Sequence, residues 1–156
     1  MKNNVISILF VCHGNICRST MAEYVMKDMV KKKGIEDKFY IDSAATSTDE
    51  IGNGVHHGTR KKLQEVGVPV GNHRAVQITK SDYDKYDYII GMDGQNLRNM
   101  HRMLPDDRDG KISLLLDFTD TPRDIADPWF TGDFDATYDD VIKGCTALLE
   151  RILKRE

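Results

Sequence analysis

Cys12 and Arg18 are separated by five residues, His13, Gly14, Asn15, Ile16 and Cys17, and are followed by Ser19. A loop of that length can wrap one tetrahedral dianion, with sulfur beneath it and a planar guanidinium fork beside it. Gly14 and Asn15 are types that tolerate positive φ, so successive backbone N–H groups can turn inward as an anion nest. The same positive field can lower a thiol pKa from about 8.5 into the ~4–7 range, giving a thiolate at neutral pH. The chemistry implied is covalent phosphoryl transfer through Cys12, with Arg18 clamping the phosphoryl oxygens.

A buried cysteine near a solvated arginine would be the ordinary reading of this pair, and the flanking elements set it aside. Val5–Val11 is an apolar run without alternation, as in a strand buried on both faces of a parallel sheet. After the loop, Ala22, Val25, Met26, Met29 and Val30 recur at helical spacing, and Gly34 follows the Lys31–Lys33 run as a stop signal. Thr20 with Glu23 reads as a capping box. The segment is thus a strand-to-helix turn ending at a helix N-terminus, where first-turn amides have no intrahelical partner and the dipole favours an anion.

The rest of the chain alternates in the same way. Strands are expected at Phe39–Ala44, Tyr88–Met92 and Ile112–Leu116. Helices are expected at Val55–Val66, after Asp93 (carrying Leu97, Met100 and Leu104), and along a stripe comprising Tyr138, Val141, Ile142, Cys145, Leu148, Leu149, Ile152 and Leu153. This pattern predicts an α/β fold: one domain over residues 1–156, three layers, doubly wound, with a central four-stranded parallel sheet and ligands at the C-terminal strand ends.

With 156 residues and a formal charge of −3, the chain has no basic excess for nucleic acid. No apolar stretch approaches the roughly 20 residues of a membrane span. The first residues are read as too short and too soon a strand for a signal peptide. Three cysteines, two inside the loop, do not form a disulfide framework, and a reducing cytoplasmic compartment is expected.

A phenolic leaving group needs a proton donor, and a carboxylate over the anion site could give the proton and then activate water. Asp127 is the candidate: Pro128 biases it toward extended backbone, and Trp129 and Phe130 could wall a flat substrate. Asp124, Asp133 and Asp135 lie close enough to compete. Cys17 is either a reversible disulfide partner of Cys12 or a small packed side chain. Cys145 reads as core. A zinc site from Cys12, Cys17 and His13 lacks further ligands and faces the charge of Arg18. Of five histidines, His73 is a possible loop support, while His56, His57 and His101 read as surface.

Five segments together resemble the low-molecular-weight protein tyrosine phosphatase family: Val11–Ser19, Asp42–Ser47, His73–Ala75, Tyr88–Asp93 and Asp127–Phe130. The resemblance implies that Cys12 is the nucleophile, Arg18 the phosphoryl clamp and Asp127 the general acid and then base. It implies that Asn15, Ser19, Ser43 and His73 brace the loop, that Cys17 is a redox partner, and that neither metal nor cofactor takes part. Partners would be a tyrosine-phosphorylated protein or peptide, with inorganic phosphate as product and inhibitor. A monomer is expected. Two positions depart from the family pattern. Asp49, followed by Glu50, stands where an aromatic rim residue is usual, leaving Ile16, Trp129 and Phe130 as the apolar rim. Val76 stands where Arg is frequent, so packing is expected to replace a polar support. Three rivals remain: arsenate reductase, disfavoured because Cys145 is alone; protein-arginine phosphatase, disfavoured by Ile16 where a threonine hydroxyl would suit guanidinium; and a non-catalytic phosphopeptide-binding module.

Overall fold

The computed structural model describes residues 5–155. Strands β1 (Ile6–Cys12), β2 (Phe39–Ala45), β3 (Tyr88–Gly91) and β4 (Ile112–Leu114) form one parallel sheet in the order β2-β1-β3-β4. Helices α1 (Arg18–Lys32), α2 (His57–Glu65), α3 (Asp82–Lys85), α4 (Gly94–Met103), α5 (Pro128–Thr131) and α6 (Phe134–Arg155) cover it. The fold is therefore the expected three-layer, doubly wound arrangement.

β1 runs through the middle of the sheet and explains its own lack of alternation. Ile8, Phe10 and Cys12 face one core, packed with α1 and α6, while Leu9 and Val11 face the other, with Tyr83, Tyr86, Met100 and Leu104. Both faces being covered, every position from Ile8 to Val11 must be apolar. The chain turns to opposite sides of β1 on its way to β2 and β3, so the C-terminal end of β1 opens into the crevice where α/β sheets bind ligands. Cys12, the last residue of β1, sits there.

Boundaries differ from expectation where local bonding intervenes. β4 stops at Leu114 because the Asp117 carboxylate accepts the Leu114 N–H at 2.9 Å, tightening Leu115–Phe118 into a 3₁₀ turn. Helix α1 begins at Arg18 with no side-chain cap. Thr20 donates its hydroxyl to the Ile16 and Cys17 carbonyls, and Glu23 turns away to Ser43 and Lys27. The capping box is thus replaced by a bare helix N-terminus, which keeps its amides for an anion. Leu153, expected in the α6 stripe, is exposed, whereas Cys145 is fully buried.

Helix α2 is capped by His56, whose Nδ1 accepts the Gly58 N–H at 3.0 Å. His56 is half-buried, not the surface residue expected, whereas His57 and His101 are exposed. Only an imidazole unprotonated at Nδ1 can make this cap. Burial, then the adjacent His57, hold it below its ordinary 6.5, against the opposing pull of Glu50 and Asp127. The folded chain binds this proton more weakly than the unfolded chain. The cap's contribution is full above the unfolded value and is lost as pH falls through the lowered one. Between about pH 7.5 and about pH 5, thermal unfolding should show the wild type losing Tm relative to His56→Asn, whose amide oxygen caps at any pH. Parallel curves would mean that Nδ1 does not carry the cap.

Candidate active site

The turn from β1 to α1 is held open by bends alone, and among the described residues the backbone N–H groups of residues 13–17 make no hydrogen bond within the chain. Asn15 takes the positive φ of 62°, which asparagine tolerates. Gly14 has no such strain. Its missing side chain makes room for Glu50, whose Cγ would lie 3.2 Å from a Cβ there.

Behind the loop runs a directed chain of hydrogen bonds. Asn15 donates through Nδ2 to Ser19 Oγ at 2.8 Å, so the Ser19 hydroxyl hydrogen is free to point at Cys12 Sγ, 3.0 Å away. Asn15 Oδ1 in turn accepts from His73 Nε2 at 2.7 Å and from the Val76 N–H at 3.2 Å. His73 Nδ1 faces carboxylate oxygens of Asp42 at 3.4 Å and Glu23 at 3.6 Å. Ser43 donates to Glu23 at 2.6 Å. The Glu23, Asp42 and His73 atoms lie within 4.8 Å of one another, as in a metal cluster, yet Glu23 also binds Lys27 and His73 binds Asn15. These bonds brace the loop from behind. At position 76 the expectation of packing fails: the backbone amide supplies the support, and the valine side chain is exposed.

Arg18 is 2% exposed and is anchored through one nitrogen. Its Nη1 donates to Asp93 Oδ2 at 2.6 Å and to the Ile125 carbonyl at 2.8 Å. Its Nη2 lies 3.5 Å from Asp127 Oδ2. Burial works against the guanidinium charge, but Cys12, Asp93 and Asp127 outweigh it and raise its pKa. Asp93 is a site residue that sequence reasoning took only as a cap. It does both jobs, since Oδ1 caps α4 through the Asn96 N–H at 2.8 Å while Oδ2 holds Arg18. The available signal was its place at the C-terminal end of β3, beside β1.

Asp127 and its three competitors, Asp124, Asp133 and Asp135, separate cleanly. Asp124 accepts the Gly94 N–H, Asp133 caps α6 through the Ala136 N–H, and Asp135 pairs with Lys62. Of the four, Asp127 alone lines the cavity with Cys12 and Arg18. Its backbone is extended, and its Oδ1 accepts the Trp129 N–H at 3.1 Å, leaving Oδ2 toward Arg18.

The cavity holds about 240 Å³ and is lined by Cys12, His13, Gly14, Ile16, Cys17, Arg18, Asp49, Glu50, Asp127, Trp129 and Phe130. Ile16, Trp129 and Phe130 supply its apolar wall. Opposite them, His13 Nε2 meets Asp49 Oδ2 at 2.8 Å, so an imidazole and a carboxylate stand where an aromatic rim residue was missing. The Cys17 thiol is pushed up to about 12, first by burial and then by Cys12 and Asp127. It is therefore neutral at ordinary pH. Burial likewise raises Cys145. All three cysteines are free thiols.

Comparison with known proteins agrees with this arrangement. The low molecular weight phosphotyrosine protein phosphatase family profile matches residues 7–156. The chain is 39% identical to the Bacillus subtilis low molecular weight protein-tyrosine-phosphatase YfkJ over 97% of its length and 99% of that protein's. It is 39% identical to the human low molecular weight phosphotyrosine protein phosphatase, over 93% and 94% of the two chains. The crystal structure of YfkJ superposes with a TM-score of 0.95 at 38% identity, covering 100% and 99% of the two chains. That of a Drosophila arginine phosphatase superposes with a TM-score of 0.84 at 31% identity, covering 93% and 96%. The chain belongs to the low molecular weight phosphotyrosine protein phosphatase family and is an enzyme of its hydrolase class.

Proposed function

We propose that the protein hydrolyses phosphotyrosine in proteins or peptides, and small aryl phosphates, through a cysteinyl-phosphate on Cys12. The observation that carries this is the convergence of Cys12, Arg18 and Asp127 on one cavity with an apolar wall. The Cys12 thiolate attacks phosphorus, forming the S–P bond as the P–O bond to the phenol breaks. The Asp127 carboxyl gives its proton to the departing oxygen. Asp127, now a carboxylate, then takes a proton from water as the water oxygen attacks phosphorus and the S–P bond breaks. Inorganic phosphate leaves and the thiolate is restored. Arg18 and the unpaired amides of residues 13–17 bind the equatorial oxygens and offset the charge that develops on them. Anchoring Nη1 to Asp93 and Ile125 aims Nη2 and Nε at those oxygens with little freedom to lose.

Ser19, Asn15, Ser43 and His73 serve this reading as braces that keep a hydroxyl donor on sulfur. Inorganic phosphate should inhibit as a competing product. Cys17 is read as the redox partner of Cys12; its raised pKa means that it must lose its proton before it can attack an oxidised Cys12. Three free thiols fit a reducing cytoplasm, and no helix among the described residues is long and apolar enough to cross a membrane. On this reading residues 1–156 act as a single domain and as a monomer. Ile16 favours a phenyl ring over a guanidinium because it packs with Ala75 and Phe134 and offers no hydroxyl.

Cys12→Ser should abolish turnover of p-nitrophenyl phosphate while retaining phosphate binding by calorimetry, and residual turnover at the wild-type level would overturn the covalent route. Asp127→Ala should slow phenyl phosphate by about 10²–10⁴ while sparing a leaving group that needs no proton. Equal losses would remove Asp127 from the acid role. Assayed with EDTA and reductant, the enzyme should prefer phosphotyrosine peptides to phosphoserine and phosphoarginine peptides. A preference for phosphoarginine would keep the loop chemistry and reverse the reading of Ile16.

A further inference from the structure

His56 takes no part in the steps above, yet it is the residue at which the phosphate loop and the acid-bearing turn meet. Its backbone N–H donates to the Ile16 carbonyl at 2.9 Å, tying it to the loop. Its ring stacks on Phe134 with centroids 5.5 Å apart and meets the edge of Trp129 at 5.6 Å. Trp129 is the residue whose N–H holds Asp127 Oδ1. Phe134 opens α6 and lies so close to α2 that a Cβ on Gly58 would collide with its ring. His56 is thus wedged between elements whose spacing sets the distance from Cys12 to Asp127.

The acid turn needs such a wedge. Its helix α5 is four residues long and ends in left-handed Gly132, so it has little stiffness of its own. Upstream it is held by Ile125, whose N–H donates to the Met92 carbonyl at 2.8 Å. Downstream, Trp129 is 57% exposed, and the His56 ring packs against it. A histidine meets two demands at once here: Nδ1 caps α2, and a flat ring packs against Trp129 and Phe134. Asparagine could cap but not stack, and phenylalanine could stack but not cap. The groups bearing on the imidazole are His57, Glu50 and Asp127, with burial favouring the neutral form that the cap requires.

We propose that His56 is a positioning residue for proton transfer, holding the Trp129 ring so that Asp127 stays in register with the phosphate loop. This rests on the reading of Asp127 as the general acid. Its contribution should appear in the leaving-group step and not in phosphate binding.

The test compares kcat/KM for phenyl phosphate and 2,4-dinitrophenyl phosphate, with the inhibition constant of inorganic phosphate and Tm, in His56→Ala, His56→Asn and His56→Phe, each alone and with Asp127→Ala. His56→Ala should lose about tenfold on phenyl phosphate and less than about twofold on the dinitrophenyl ester, with phosphate inhibition unchanged. His56→Asn should recover Tm but not the phenyl phosphate rate, and His56→Phe should recover the rate but not Tm. In the Asp127→Ala background, His56→Ala should add no further loss on phenyl phosphate. Equal losses on both esters, rescue of the rate by asparagine, or a full further loss without Asp127 would each overturn the proposal. If Asp127→Ala alone shows no leaving-group dependence, the acid assignment fails first and His56 loses its role with it.

Discussion

The charge of Arg18 is held almost entirely out of bulk water. Its side chain is almost wholly buried, and a buried cation is tolerated only with partners of good geometry. Two of those partners, Asp93 at the cap of α4 and the Ile125 carbonyl in the connection beyond β4, come from other parts of the chain, and both bind the same nitrogen. Much of the architecture can be understood as bringing them there. β3 must lie beside β1 so that Asp93 ends next to the loop, and the connection beyond β4 must return across the sheet's C-terminal edge to offer Ile125. With one side of the guanidinium satisfied, the other faces the cavity. On the proposed reading, a preference for a dianion would be built into how the cation is buried.

The sulfur is treated in a parallel way from the opposite side. Asn15 supplies Ser19 with a donor and so obliges the serine hydroxyl to spend its own hydrogen on Cys12. His73 fixes the orientation of Asn15, and two carboxylates face His73. Each link bears on the direction of the next, so a short polar chain runs from two carboxylates to the Ser19 hydroxyl beside the Cys12 sulfur.

Residues whose role follows from local chemistry were legible in the sequence. The spacing of Cys12 and Arg18, the doubly buried β1 and the strand–helix alternation all express constraints within about twenty neighbouring residues. Asp93 was legible only by half, because its cap to Asn96 is local while its bond to Arg18 spans 75 positions. Glu23 was misread for the same reason: its serine partner lies 20 positions on, not three back. His56 looked like surface because its packing partners, Trp129 and Phe134, arrive from far downstream. Val76 was judged by its side chain when its backbone amide does the work. Periodicity and capping rules see neither long-range pairing nor backbone donors outside regular elements.

The two anchors of Arg18 are separated from it by 75 and 107 positions. During synthesis the loop from Cys12 to Arg18 leaves the ribosome long before either exists. A nascent chain that has made β1, α1 and β2 contains Cys12 and Arg18 but nothing to aim the guanidinium, and the turn carrying Asp127 comes later still. Contacts so distant in sequence form late and together. The Cys12 thiol is made early, but the electrostatic surroundings assembled around it are completed as one of the last events of folding.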